Sequence, residues 1–160
     1  MPGAPLTRPW DDRVDIALDA ALELLTEGGR GNVIPSRAAS RSGLARNWFT
    51  RSGIRNGQDL QSALLDRELP RIAGELHWAP GAEHAARILV GHLPALLLAD
   101  HHGRLREPGP VSEALHAALL PCPWWVAVAW LAICTDSARR GMRADQLFRL
   151  LLDMERRSRI

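Results

Sequence analysis

Residues 33–53 read VIPSRAASRSGLARNWFTRSG, and their punctuation decides the fold. Pro35 suits a first helical turn, where its missing N–H has no intrahelical partner to lose and its φ is already helical. Ala38-Ala39 followed by Gly43 describe a helix of about two turns that stops on a residue free to turn left-handed. Beyond the glycine, LARNWFTRSG sets Leu44, Trp48 and Phe49 on an apolar side, with Arg46, Asn47 and Arg51 around the rest. Two short helices hinged at a glycine, behind a longer one, make a helix-turn-helix unit.

Upstream, Val14, Ala17, Leu18, Ala21, Leu22 and Leu25 recur at helical spacing between Asp11-Asp12 and Gly28-Gly29, which predicts a first helix from about Asp12 to Glu27. Trp10 is placed to staple onto that stripe from outside the cap. Downstream, Leu60, Leu64, Leu65, Leu69, Ile72 and Leu76 predict a long amphipathic helix from Gln58 to Trp78 that Pro70 kinks or restarts. A strongly apolar helix interrupted by Pro94 runs from Glu83 to His101, and HHGRLREPGP is a loop. Ser112–Leu120, a segment starting at Pro123 and ending near Arg139, and a last one from about Arg143 complete the set. No segment alternates with period two for long enough to be a strand, so the class is all-α, with eight or nine helices.

The 160 residues are 46% apolar and 24% charged, a composition that excludes disordered, collagen-like and disulfide-scaffold classes. Every one of the 20 positive residues is arginine, and the +2 total points to no partner. The distribution does: residues 1–27 carry two arginines against six acids, and residues 59–160 carry twelve of each sign. Between them, residues 28–58 carry six arginines (Arg30, Arg37, Arg41, Arg46, Arg51 and Arg55) and no acid. A block of one sign marks a solvated face or an anionic partner. On the third helix Arg46, Asn47 and Arg51 are placed to reach base edges, with Arg37, Arg41 and Arg55 placed to hold the backbone on either side. Trp48 reads as the core anchor of the small domain, the alternative being exposure beside the arginines.

From Arg13 to Arg67 the chain resembles the TetR family of one-component bacterial regulators. The likeness rests on RVDIALDAALELLTEGG as the first helix, on Ala39 and Gly43 in register, on the recognition-like third helix and on LQSALLDR as the start of a long fourth helix. It implies a helix-turn-helix DNA-binding domain over residues 1–57 and a helical ligand-binding and dimerisation domain over residues 58–160, acting as a cytoplasmic homodimer that binds operator DNA and is released by a small apolar effector. The chain also departs from the family pattern. Ile34 and Leu44-Ala45 stand where the family has capping serine or threonine, a loss of about 1 kcal/mol for the recognition helix. Phe49-Thr50 and Ser52-Gly53 replace its Leu-Tyr and His-Phe pairs, and IRNGQ replaces its Ser-Lys-Glu phrase. These departures favour a second reading: the same fold with a decayed reader, kept as a small-molecule-binding protein or pocket-based enzyme of specialised metabolism.

For a ligand pocket the candidates are Trp78, His92, Trp125 and Trp130; Trp124 points elsewhere around its helix, and a helix buried all round is the alternative. Leu147, Leu151 and Met154 form the stripe on which the last two helices pair with a second copy, or else close the chain's own core. His101-His102, with His92 or His84 upstream, invite a metal, but adjacent histidines share no helical face and no carboxylate or cysteine completes the set, so no metal or cofactor is expected. No nucleophile motif or phosphate loop is present, and there is no lysine for Schiff-base chemistry. Cys122 and Cys134, twelve apart in apolar sequence, read as reduced core residues. The start MPGAPLTRPW lacks the pattern of a secretory signal and no run is long enough to span a bilayer, which predicts a soluble intracellular chain.

Overall fold

The computed structural model describes residues 9–105 and 108–159, Pro9 to Asp11 by backbone alone. Among these residues the chain is all helical: nine α-helices, one 3-10 turn and no strand. It divides into two compact units between Leu64 and Leu65.

In the first unit, α1 (Pro9–Gly28) buries Ala17, Leu18, Ala21 and Leu25 of the predicted stripe, leaves its Val14 and Leu22 half-buried, and adds Ala20 and Leu24 to the buried face. The helix begins three residues before the expected start and takes in Trp10, whose side chain lies outside the described residues. It ends on a fitted contact: the Asn32 side-chain amide, on a 3-10 turn (Arg30–Asn32), donates to the Leu24 carbonyl at 2.9 Å. A Cβ on Gly28 would stand 2.9 Å from that amide, so the glycine is what lets the turn fold back.

Next come α2 (Pro35–Ser42) and α3 (Arg46–Arg51). Gly43 between them has φ +73°, and its N–H returns to the Ala39 carbonyl at 3.0 Å, the left-handed stop that the sequence signals. Neither helix has a side-chain N-cap, in keeping with Ile34 and Ala45 at those positions. Phe49 is fully buried and Ile54, whose N–H donates to the Phe49 carbonyl at 2.8 Å, is nearly so. These two residues fill the core under α3. Trp48 is only half-buried, its ring edge-on to Phe49 with centroids 5.1 Å apart, so it lies between the two positions the sequence allowed it.

The division falls within α4 (Gly57–His77) rather than at its head, where the sequence placed it. Leu60 and Leu64 are fully buried, and the Gln61 amide donates to the Arg30 carbonyl, so the first two turns belong to the N-terminal unit. Pro70 does not interrupt α4. It lies, with Asp66, on the exposed side, where losing one ladder bond is least costly.

In the second unit the expected helix 83–101 is two, α5 (Ala82–Gly91) and α6 (Leu93–His101). Pro94 causes the break at His92: it has no N–H to offer Val90 and instead becomes part of the first turn of α6. α7 (Pro110–Ala118) starts two residues before the expected Ser112, with Pro110 in its first turn and the Ser112 hydroxyl accepting from Gly109 N–H at 2.9 Å. α8 (Trp124–Arg139) packs on α6 and α7, and α9 (Ala144–Ser158) packs on α5 and α8. Their shared core includes Leu89, Leu96, Leu115, Val126, Trp130, Leu147 and Leu151. Cys122 and Cys134 are free and buried here, as read; burial raises the Cys122 thiol and pushes Cys134 up to about 12. No described helix is long and apolar enough to cross a membrane.

Because Phe49 alone anchors the centre of α3, Phe49→Ala is expected to destabilise the first unit by about 3–5 kcal/mol, against less than about 0.5 kcal/mol for Thr50→Ala on the exposed side. Urea titrations followed by helical circular dichroism measure both.

Candidate nucleic-acid interface

A six-residue helix has little more than one and a half turns in which to be two-sided. At about 100° per residue, taking Arg46 as zero, Thr50 lies near 40°, Asn47 near 100° and Arg51 near 140°, while Trp48 and Phe49 occupy the remaining arc near 200° and 300°. Burial agrees with this wheel: Phe49 is buried, Trp48 half-buried, and Arg46, Asn47, Thr50 and Arg51 are all exposed. None of these four side chains makes a hydrogen bond or ion pair among the described residues. Arg46, Asn47 and Arg51 are therefore brought together on one face, as the sequence predicts. Thr50 was missed there, although its spacing four after Arg46 already places it on the same line.

The flanking arginines differ from one another. Arg55 is exposed, with its backbone N–H held by Asp59 at 3.0 Å and its guanidinium unpaired among the described residues. Arg37 is exposed and donates to the Asn32 side-chain oxygen, a neutral partner that leaves its charge uncompensated. Arg41 is engaged: its guanidinium meets both Glu27 oxygens at 2.7 Å and adds Glu23 at 3.2 Å. The hydrogen bond from Arg41 holds the Glu27 carboxyl below its ordinary value, and the same two carboxylates raise Arg41. One of the two intended backbone clamps on α2 is thus a tie between α1 and α2. The sequence hid this because the acids sit 14 and 18 residues upstream, in a segment that looked separately charged.

In the second unit the four pocket candidates do not converge. Trp78 is 82% exposed and Trp125 55% exposed, whereas Trp130 is fully buried with its indole N–H unpaired among the described residues. His92 hydrogen-bonds Glu75 at 2.7 Å. A cavity of about 340 Å³ does exist, but other residues line it: Leu69, Leu105, Val111 and Leu131 with Pro70, Pro108 and Pro110, beside Arg104 and Ser112. Arg104 pairs with Asp66 at 2.7 Å.

The dimer stripe is also placed differently. Leu147 and Leu151 are fully buried within the chain's own packing of α9 on α5 and α8, and Met154 is half-buried, so this stripe closes the unit's core. The unit also holds two buried carboxylates that no pattern announced. Glu68 is held between Arg67 at 3.2 Å and Arg71 at 3.4 Å, and Glu155 accepts from Arg159. No three His, Cys, Asp or Glu side chains gather as a metal site among the described residues, and the His101 and His102 rings meet edge to face.

No protein-family model, curated protein or solved structure matches the chain.

The Arg41–Glu27 tie has a pH signature. The folded carboxyl of Glu27 titrates below its ordinary 4.5, so the tie stabilises above the unfolded value and is lost as pH falls through the depressed folded one. Arg41→Met, which keeps the stem, should lower the denaturation midpoint at about pH 7, and the gap to wild type should close by about pH 2. A gap of constant size across that range assigns the effect to packing rather than to the ion pair.

Proposed function

We propose that the chain is a DNA-binding regulator of TetR-like build, acting as a homodimer and released by a small apolar effector. The observation that carries this reading is the exposed arc of α3, where Arg46, Asn47, Thr50 and Arg51 stand free on the second helix of a helix-turn-helix, flanked by the uncompensated charges of Arg37 and Arg55. A major-groove helix needs this division of labour between side chains that reach base edges and cations that neutralise phosphates. The apolar cavity of the second unit, within the range of small-molecule sites, is the place for the effector. The effector acts by binding two conformers of the dimer unequally.

For the dimer, α8 offers the apolar face that the core leaves free. Trp125 is 55% exposed and Ala132 is exposed about two turns along the same face, with Val128 and Ala129 half-buried between them. An antiparallel twofold pairing centred between Val128 and Ala129 sets each Trp125 over the partner's Ala132, large against small, which is the self-complementarity a twofold contact requires.

The second reading, a decayed reader kept for its cavity, draws on the neutralised Arg41 and the two uncapped helices. A titration separates the two. Against the chain's own upstream DNA and random duplex, at about 50 and 200 mM salt, the regulator forms a specific complex that weakens steeply with salt. No specific binding at the lower salt rules it out in favour of the second reading. For the dimer, Trp125→Glu should shift sedimentation toward monomer with helical content unchanged, while Leu150→Glu on α9 leaves association as it is.

A further inference from the structure

The face of α3 is regular enough to be read as a recognition surface. Arg46 and Thr50 share one line along the helix, Asn47 and Arg51 a neighbouring one, and the members of each line lie ~6 Å apart along the axis. That interval is close to two base-pair steps of ~3.4 Å. Arg46 and Asn47 are ~1.5 Å apart along the axis, less than one step. The inward arc is closed to DNA by the burial of Phe49, and no other exposed side chain of α3 competes for the groove.

Resting on the DNA-binding reading above, we infer that each half-site is read over roughly three to four base pairs: a guanine met by Arg46 and an adenine met by Asn47 at the same or an adjacent step, with a thymine about two steps on against Thr50. The chemistry is specific at each position. A guanidinium fork matches guanine O6 and N7, a side-chain carboxamide matches adenine N6 and N7, and the threonine methyl packs on the thymine methyl while avoiding a buried polar mismatch. Arg51, at the far edge of the arc next to half-buried Trp48, and Arg55 beyond the helix serve the phosphate backbone. Arg41 contributes no base or phosphate contact, because Glu27 takes both of its η nitrogens and Glu23 shares Nη1, which turns the charge to the scaffold.

The test is selection of bound sequences from a randomised duplex library with the full chain, repeated with Arg46→Ala, Asn47→Ala, Thr50→Ala and Arg55→Ala, all at exposed positions and each checked for wild-type helicity. Expected is an enriched half-site holding the guanine–adenine step. Arg46→Ala should lose roughly tenfold to hundredfold discrimination at the guanine alone, and Asn47→Ala the same at the adenine alone. Arg55→Ala should weaken all sequences alike and reduce the salt slope by about one per protomer. Enrichment of sites without that step, or sites indifferent to Arg46→Ala and Asn47→Ala, overturns the assignment while leaving DNA binding intact. Binding with no enrichment does the same. Absence of any binding at low salt overturns the assignment and the reading beneath it together.

Discussion

The burial of Phe49 is the constraint on which the candidate interface depends. A helix of six residues has no length over which to average its orientation, so one fully buried ring fixes its rotation, and that rotation decides which side chains face outward. The short link from Ile54 N–H to the Phe49 carbonyl closes the helix directly beneath the ring, and Gly43 sets the entry from α2 with a backbone that a Cβ would strain. Arg46, Asn47, Thr50 and Arg51 are exposed as a consequence of that packing. With no side-chain N-cap on either short helix, tertiary packing rather than local capping holds the motif together.

Charge works by compensation across the same small unit. Read linearly, the chain holds an acidic first segment and an arginine-only second one, but folding lays the last turns of α1 beside α2 and pairs Glu23 and Glu27 with Arg41. Pairing takes Arg41 out of the positive field, and the uncompensated charges around α3 are those of Arg46, Arg51 and Arg55, together with Arg37 on its neutral amide. This is the more selective arrangement, since a uniformly basic patch attracts any polyanion whereas charges placed around one polar arc favour a single docking orientation.

The helices and the turn glycine were legible in the sequence because burying one face of a helix imposes a period that survives without any knowledge of neighbours. The positions of Leu18, Ala21, Leu25, Leu147 and Leu151 all follow from it. What a face is buried against was not legible. The stripe Leu147–Leu151 has the same pattern whether a second copy or α5 covers it, and only the fold shows α5 and α8 there. The tryptophans misled for a related reason. Val126, Trp130 and Cys134 share the buried stripe of α8, while Trp125 is one residue out of phase and faces solvent, and Trp78 falls just past the end of α4, where helical phase no longer applies. The interruption at Pro94 was legible, and its position at His92 follows because a proline removes the bond to the carbonyl four residues before it. The Arg41 tie was unreadable for want of any local spacing between its partners.

On the proposed DNA-binding reading, a chain without lysine must use one residue type for phosphate attraction and for base recognition, so position alone separates the two tasks. Arg46, on the α3 arc, is held by the helix at a fixed height and angle, which on that reading suits its planar fork to a base edge. An arginine beyond the helix, such as Arg55, has the same fork on a segment free of that register and acts chiefly as a charge. An arginine bracketed by carboxylates, such as Arg41, is turned inward to the scaffold. On that reading the same side chain takes three roles within 15 residues of Arg41, distinguished by what the backbone places next to it.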